Sequence, residues 1–192
     1  RGLGVARSDD NLLVSTGSNT ILEFSLTGQY LGIFASTGLS NPLGLAVDRS
    51  GNLYVANVGS STIRKFSPTG QDLGLFASTG LNEPVGLAFD SAGDLFVSNI
   101  GDNTIRKFSL TGQDLGLFAS LLRIGCPGGL AVDQSGNLLV ADACSRVVRE
   151  FSPTGQDLGL FASTGLNNPH GLAFDSSGDL FVANAGSNTI RK

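Results

Sequence analysis

The side chains with chemistry to offer are few and widely spaced. The 192-residue chain has one histidine, His170, and two cysteines, Cys126 and Cys144. Amide and carboxylate side chains recur at Asn57, Asn99, Asp142 and Asn184, with Thr16 at the matching place. Two thiols can close a disulfide or stay as two buried free thiols. An Asn/Asp set can hold a hard cation such as Ca²⁺, or each member can cap its own turn by bonding to nearby backbone. A second series, Asp48, Asp90, Asp133 and Asp175, carries a glycine three residues on each time, which is turn chemistry. The chain has no Gly-x-Ser-x-Gly elbow, no phosphate-cradling glycine loop and no paired-carboxylate motif. One histidine without matching partners does not support a three-ligand zinc site, so the metal expectation is none and the cofactor expectation is none, a weak Ca²⁺ site apart.

These residues sit on a repeat. Gln71–Ser78, Gln113–Ser120 and Gln156–Ser163 all read QDLGLFAS, and Gln29–Ser36 reads QYLGIFAS. Phe24, Phe66, Phe108 and Phe151 recur at intervals of 42, 42 and 43 residues, and Pro42, Pro84, Pro127 and Pro169 at 42, 43 and 42. Each unit holds four short apolar runs bounded by Gly, Asn, Asp or Pro. In the second unit these are 44–47, 53–56, 62–66 and 73–77, all of strand length. Four strands in about 42 residues is a propeller blade, so the fold class is all-β, a β-propeller of four-stranded antiparallel blades. Ile63 and Phe66 differ in parity, as do Leu75 and Phe76. Both faces of the third and fourth strands are therefore expected to pack, as blades with a neighbour on each side require. Units start near residues 2, 44, 86, 129 and 171 of a single domain, 1–192, which gives about five blades with the last incomplete. The fourth strand of that last blade either lies outside this chain or comes from a neighbouring subunit by strand addition. The chain starts at Arg1 partway into a repeat, as a processed or excised product would.

The fourth unit departs from the pattern. Both cysteines fall there, Cys126 before its first strand and Cys144 in the loop between its second and third, in place of the glycine found at Gly59 and Gly101. Those two loops open on the same side of a propeller, so a disulfide is geometrically reasonable and would fit an oxidising compartment. Leu121, Leu122, Arg123 and Ile124 replace the small polar residues of the other units, which makes this loop either a candidate contact patch or a packed loop pinned by the disulfide.

Composition narrows the partners. Hydrophobic residues make up 41% and charged residues 15%, which excludes a disordered chain. The net charge is −4, and the pairs Arg64-Lys65, Arg106-Lys107 and Arg191-Lys192 fall one per unit, so no basic patch forms to attract nucleic acid or an anionic membrane. No apolar run approaches the ~18 residues of a spanning helix, so no membrane insertion is expected.

The residues Asn41-Pro42, Gly44-Leu45-Ala46, Asp48, Gly51-Asn52-Leu53, Val55-Ala56-Asn57 and Thr62–Gly70 resemble the NHL repeat. The stretch FSPTGQDLGLFASTGLNNP is similar to secreted bacterial NHL proteins of the PEP-CTERM-associated type, although the sorting tail itself is not in this sequence. The resemblance implies an extracellular or cell-surface protein. It also frames the candidates. Related amidating lyases bring several histidines to a channel zinc, whereas here only His170 occupies such a place, opposite Leu43, Val85 and Gly128 in the other units. Lactonase-like propellers hold a divalent cation at the channel mouth with Asn, Asp and Glu, and Asn57, Asn99, Asp142 and Asn184 fit that mouth without the Glu. Nearly interchangeable blades favour a non-enzymatic scaffold or interaction module, with a protein partner or self-association, including filament growth through the open terminal blade. A metal-dependent lactonase or lyase and a glycan- or small-molecule-binding propeller are the alternatives.

Overall fold

The computed structural model describes residues 5–7, 11–120 and 125–192. The start of the first unit near residue 2 and the 121–124 loop lie outside the described residues. Among the described residues, nineteen strands form five antiparallel sheets in chain order. The first blade is β1 (Val5–Arg7), β2 (Asn11–Ser15), β3 (Ile21–Ser25) and β4 (Tyr30–Ala35). The second is β5 (Pro42–Val47), β6 (Leu53–Asn57), β7 (Thr62–Phe66) and β8 (Asp72–Ala77). The third is β9 (Pro84–Phe89), β10 (Leu95–Asn99), β11 (Thr104–Phe108) and β12 (Asp114–Ser120). The fourth is β13 (Pro127–Val132), β14 (Leu138–Asp142), β15 (Val147–Phe151) and β16 (Asp157–Ala162). The fifth has three strands, β17 (Pro169–Phe174), β18 (Leu180–Asn184) and β19 (Thr189–Arg191). The expected strand of residues 44–47 starts two residues earlier, at Pro42, because a proline lacking an N–H is tolerated as the first residue of a strand. A short 3₁₀ turn, Val58–Ser60, sits in the expected loop after β6.

The turns follow from side-chain chemistry. Asp48 Oδ1 accepts the backbone N–H groups of Ser50 and Asn52, both at 2.9 Å, and Asp90, Asp133 and Asp175 repeat the pattern. Ser67 Oγ accepts the N–H of Gln71 at 3.1 Å in the outer hairpin, as Ser109 and Ser152 do in theirs.

Blades pack face to face. One face of the second blade offers Tyr54, Ala56, Ile63 and Ala77, and the third blade answers with Leu87, Leu95, Val97 and Phe108. The same sets recur between the first and second blades and between the third and fourth. Ile63 and Phe66 thus pack on opposite faces, as their parity requires. Leu75 does not. It is 56% exposed, and Leu73 is 49% exposed. The cause is a pair of irregularities in the β7–β8 ladder. Ile63 pairs with Ala77 but Arg64 with Leu75, and Lys65 pairs with Gly74 but Phe66 with Asp72. The extra residues, Phe76 and Leu73, re-aim the strand so that Phe76 packs inward while both leucines face water. The same irregularities recur in β4, β12 and β16.

The innermost strands approach one another too closely for side chains. A Cβ on Gly44 would lie 1.9 Å from the Val85 carbonyl oxygen, one on Gly86 2.3 Å from that of Gly128, and one on Gly129 2.2 Å from that of His170. Gly44→Ala should therefore lower the unfolding free energy by about 1–3 kcal/mol in urea titration, the range for overpacking a tight contact. Gly17→Ala, where nothing lies within 4 Å of the new Cβ, should be close to neutral.

Candidate functional site

Asn57, Asn99, Asp142 and Asn184 end the second strands of the second to fifth blades and are all buried, whereas Thr16 follows the second strand of the first blade and is half-buried. Asn57 Oδ1 accepts the Ser40 N–H at 3.1 Å, and its Nδ2 donates to the Gly38 carbonyl at 3.0 Å. Asn99 does the same with Asn82 and Gly80, at 3.2 and 3.1 Å, and Nδ2 also donates to Thr104 Oγ1 at 3.1 Å. Asn184 accepts from Asn167 at 3.1 Å and donates to Gly165 at 3.5 Å. An amide carries a donor and an acceptor at one position, so it sews the connector entering a blade to the loop after that blade's second strand. Backbone bonds reinforce the seam, with Gly59 N–H on Ser40 O at 3.0 Å and Gly101 N–H on Asn82 O at 3.2 Å.

The fourth blade solves the same problem differently. Asp142 can only accept when ionised. It takes the N–H groups of Cys144 and Ser145 at 3.1 Å and that of Gly125 at 3.3 Å. The donated bond is lost, and the Cys126–Cys144 disulfide, with a Cα–Cα distance of 5.3 Å, ties the same two loops covalently. The exchange also satisfies sterics. In the other seams a small residue faces a larger one. A Cβ on Gly59 would meet Ser40 Oγ at 2.6 Å, and one on Gly101 would meet Asn82 Oδ1 at 2.4 Å. In the fourth blade the glycine is Gly125 and the larger partner is Cys144, so the two have changed sides.

His170 is the second residue of β17 and is partly buried. Burial holds its imidazole below the usual histidine range. Among the described residues, no three His, Cys, Asp or Glu side chains come together in a way that could hold a metal ion. Several of the other charged groups pair along the blades. Arg64 grips both oxygens of Asp72 at 3.1 and 2.6 Å, Arg106 grips Asp114 at 3.2 and 2.6 Å, and Arg149 meets Asp157 at 2.5 Å. Guanidinium hydrogen bonding pulls the Asp72 carboxyl below its ordinary range. Lys65, Lys107 and Lys192 reach Asp48, Asp90 and Asp179 of their own blades. Glu23 and Glu150 stand at the lysine position in the first and fourth blades and accept instead from Asn11 and Asn137.

The ends of the array were the feature that sequence reasoning located only in part. It identified the unfinished fifth blade, but the faces themselves appear only in the structure. The inner strands contact one another from first to fifth in order, and among the described residues no comparable contact joins the fifth blade back to the first. Ile190 is 71% exposed, whereas Ile21, Ile63 and Ile105 at the same position are fully buried. Ala173 and Ala183 on that face are exposed too. On the opposite end, Leu12, Val14 and Phe24 are only half-buried, whereas Leu53, Val55 and Phe66 are fully buried.

Three outcomes follow from the seam and from His170. Reducing the disulfide should cost about 3 kcal/mol of stability in urea unfolding, the expectation for a short closed loop. Asn99→Asp should cost about 1–3 kcal/mol, because the Gly80 carbonyl loses its donor. For His170 the unfolded chain binds a proton more readily than the folded one. Stability should therefore fall as pH drops from about 7 to about 5, and His170→Gln should flatten that part of the melting-temperature profile.

The NHL repeat model matches residues 39–66 and 166–192. No curated protein matches the chain. Solved structures do. The nidogen/laminin complex contains a chain similar at 21% identity with a TM-score of 0.85, covering 98% of this chain and 73% of that one. Streptogramin B lyase is similar at 18% identity with a TM-score of 0.80, covering 98% and 63%. A gluconolactonase from Xanthomonas campestris is similar at 25% identity with a TM-score of 0.76, covering 91% and 65%. The chain thus spans about two thirds to three quarters of the length of these proteins. Among the described residues no helix is long and apolar enough to cross a membrane. Taken with the five sheets and their packing, the chain is a five-bladed β-propeller in which residues 39–66 and 166–192 match the NHL repeat model.

Proposed function

We propose that residues 1–192 form one non-enzymatic, extracellular interaction module that self-associates through its open terminal blade, in the manner of a scaffold or filament subunit. The observation that carries this reading is the near-identity of the blades, which repeat the same outer leucines and Arg–Asp pairs where an enzyme site needs different side chains on different blades. A head-to-tail contact that does not close produces a chain of subunits. The Cys126–Cys144 disulfide supports an oxidising, extracellular setting. The affiliation proposed is with secreted bacterial NHL proteins of the PEP-CTERM-associated type, on the strength of the FSPTGQDLGLFASTGLNNP stretch. Residues Leu121, Leu122, Arg123 and Ile124 are proposed as a further contact loop.

A second reading places a metal-dependent lactonase-type hydrolase, with a bound Ca²⁺, at the mouth formed by Asn57, Asn99, Asp142, Asn184 and His170. The likeness to a gluconolactonase favours it. Against it stand the hydrogen bonds that already occupy the side chains of Asn57, Asn99 and Asp142.

Light scattering across a concentration series, with negative-stain images of the same sample, tests the first reading. Particle mass should grow with concentration, and Ile190→Asp should hold the chain at monomer mass. A single-chain mass at every concentration overturns self-association. Turnover of a lactone panel that requires added Ca²⁺ and is lost in Asp142→Ala would establish the second reading instead.

A further inference from the structure

We propose that the Cys126–Cys144 disulfide is a redox latch on the connector that enters the fourth blade. Closed, it holds that connector away from the conformation the other connectors share. Two-electron reduction by a dithiol lets the connector take up that conformation, with the Cys126 N–H donated to Asn103 Oδ1.

The other seams show the alternative seat. The residue before the first-strand proline is Asn41, Glu83, Cys126 and Asn168 in the second to fifth blades. Asn41, Glu83 and Asn168 take the left-handed backbone conformation, with φ of 49°, 50° and 53°, and Cys126 does not. The Asn41 N–H donates to Asn19 Oδ1 of the preceding blade at 2.7 Å, and the Glu83 N–H donates to Ser61 Oγ at 3.1 Å. Asn103 is the next member of the series Asn19, Ser61 and keeps their backbone, with φ of 56° beside 57° and 50°. Its Oδ1 is buried and, among the described residues, has no hydrogen-bond partner. The acceptor is in place, and the donor is turned away from it. A buried acceptor left unpaired costs free energy that a returning N–H removes.

The backbone of the seam is rewired as well. The N–H groups of Gly59, Gly101 and Gly186 donate to the carbonyls of Ser40, Asn82 and Asn167 at 3.0, 3.2 and 3.0 Å. The Cys144 N–H, at the same position, donates to Asp142 Oδ1 instead, at 3.1 Å. The neighbouring bond from the Ala143 N–H to the Cys126 carbonyl is kept at 3.1 Å, as in the other seams. The change thus centres on Gly125 and the amide of Cys126. A glycine there, in place of Ser40, Asn82 or Asn167, leaves the backbone free to take either conformation.

The chemistry of opening follows from exposure. Cys144 is exposed and Cys126 is half-buried. The thiolate of a dithiol therefore attacks Cys144 Sγ, the S–S bond breaks, and Cys126 leaves as a thiolate that takes up a proton. The second thiol of the reductant then displaces Cys144, which is protonated in turn, and the reductant closes its own disulfide. Two electrons pass to the protein, and reoxidation reverses the path.

Dithiothreitol at graded ratios of its reduced and oxidised forms, with alkylation to count the opened protein, gives the equilibrium constant for reduction. Asn103→Gly deletes the acceptor and suits a φ of 56°, and it should lower that constant about five- to tenfold, because only the reduced form makes the bond. Asn103→Asp keeps an acceptor and should restore the constant. Hydrogen exchange at the residue-126 amide should slow by a similar factor when the unaltered chain is reduced. The same slow exchange is expected without reductant in Cys126→Ser combined with Cys144→Ser, and its absence in reduced Asn103→Gly. A reduction constant unchanged by Asn103→Gly overturns the proposal and leaves a purely structural disulfide. A residue-126 amide that exchanges equally fast in both redox states overturns it too.

Discussion

A four-stranded blade of about 42 residues cannot bury its own faces, and everything else in this molecule depends on that constraint. Each blade buries a bulky apolar set on one face, Leu53, Val55 and Phe66 in the second, and offers another, Tyr54, Ala56 and Ile63, on the other. The faces are complementary between neighbours, so each new blade covers its predecessor and exposes an equivalent surface. Inner glycines allow the approach that makes this work, since a single Cβ at Gly44 would collide with the backbone of the next blade. Repetition of sequence is therefore repetition of an interface, and the interface has two ends.

Within this frame the polar groups serve geometry. Asn57, Asn99 and Asn184 hold the connectors in place, Asp48 and its equivalents shape the inner turns, and Arg64–Asp72 spans the outer pair of strands. The pairings change in concert. Where lysine stands on the third strand, an aspartate of the inner turn receives it. Where glutamate replaces lysine, at Glu23 and Glu150, an asparagine donates to it. Exposed or half-exposed pairs of this kind add little stability each. Their consistency from blade to blade nonetheless fixes the register of the strands they join.

The repeat, the strand positions and the turn chemistry were legible in the sequence because each rests on local spacing. The outward turn of Leu73 and Leu75 was not. Parity assumes an unbroken pleat, and the extra residues in β8 break it in a way that alternation alone cannot reveal. The cysteine pair was legible in part. Its position in two facing loops was readable, whereas the reciprocal exchange of Gly125 for Ser40 and Cys144 for Gly59 becomes meaningful only once those residues are seen in contact. Likewise the Asn/Asp series was readable as a set. Its commitment to connector backbone depends on loops distant in sequence, such as Ser40 and Asn57, that only the fold brings together.

Chemistry on a propeller needs different side chains converging from different blades, and here the differences are concentrated in one sector. At the start of the inner strands of the second to fifth blades, Leu43, Val85 and Gly128 offer no polar side chain, whereas His170 does. The departures from the repeat gather nearby in sequence, in the Asp142 seam, the disulfide and the transition from the fourth blade to the fifth. The second, third and fourth blades present the same outer leucines and the same Arg–Asp pair, whereas the first has Leu22 and Tyr30 at the positions of that pair. The side chains that break the repeat are thus grouped around the fourth blade and its passage to the fifth, while the packing between blades stays uniform.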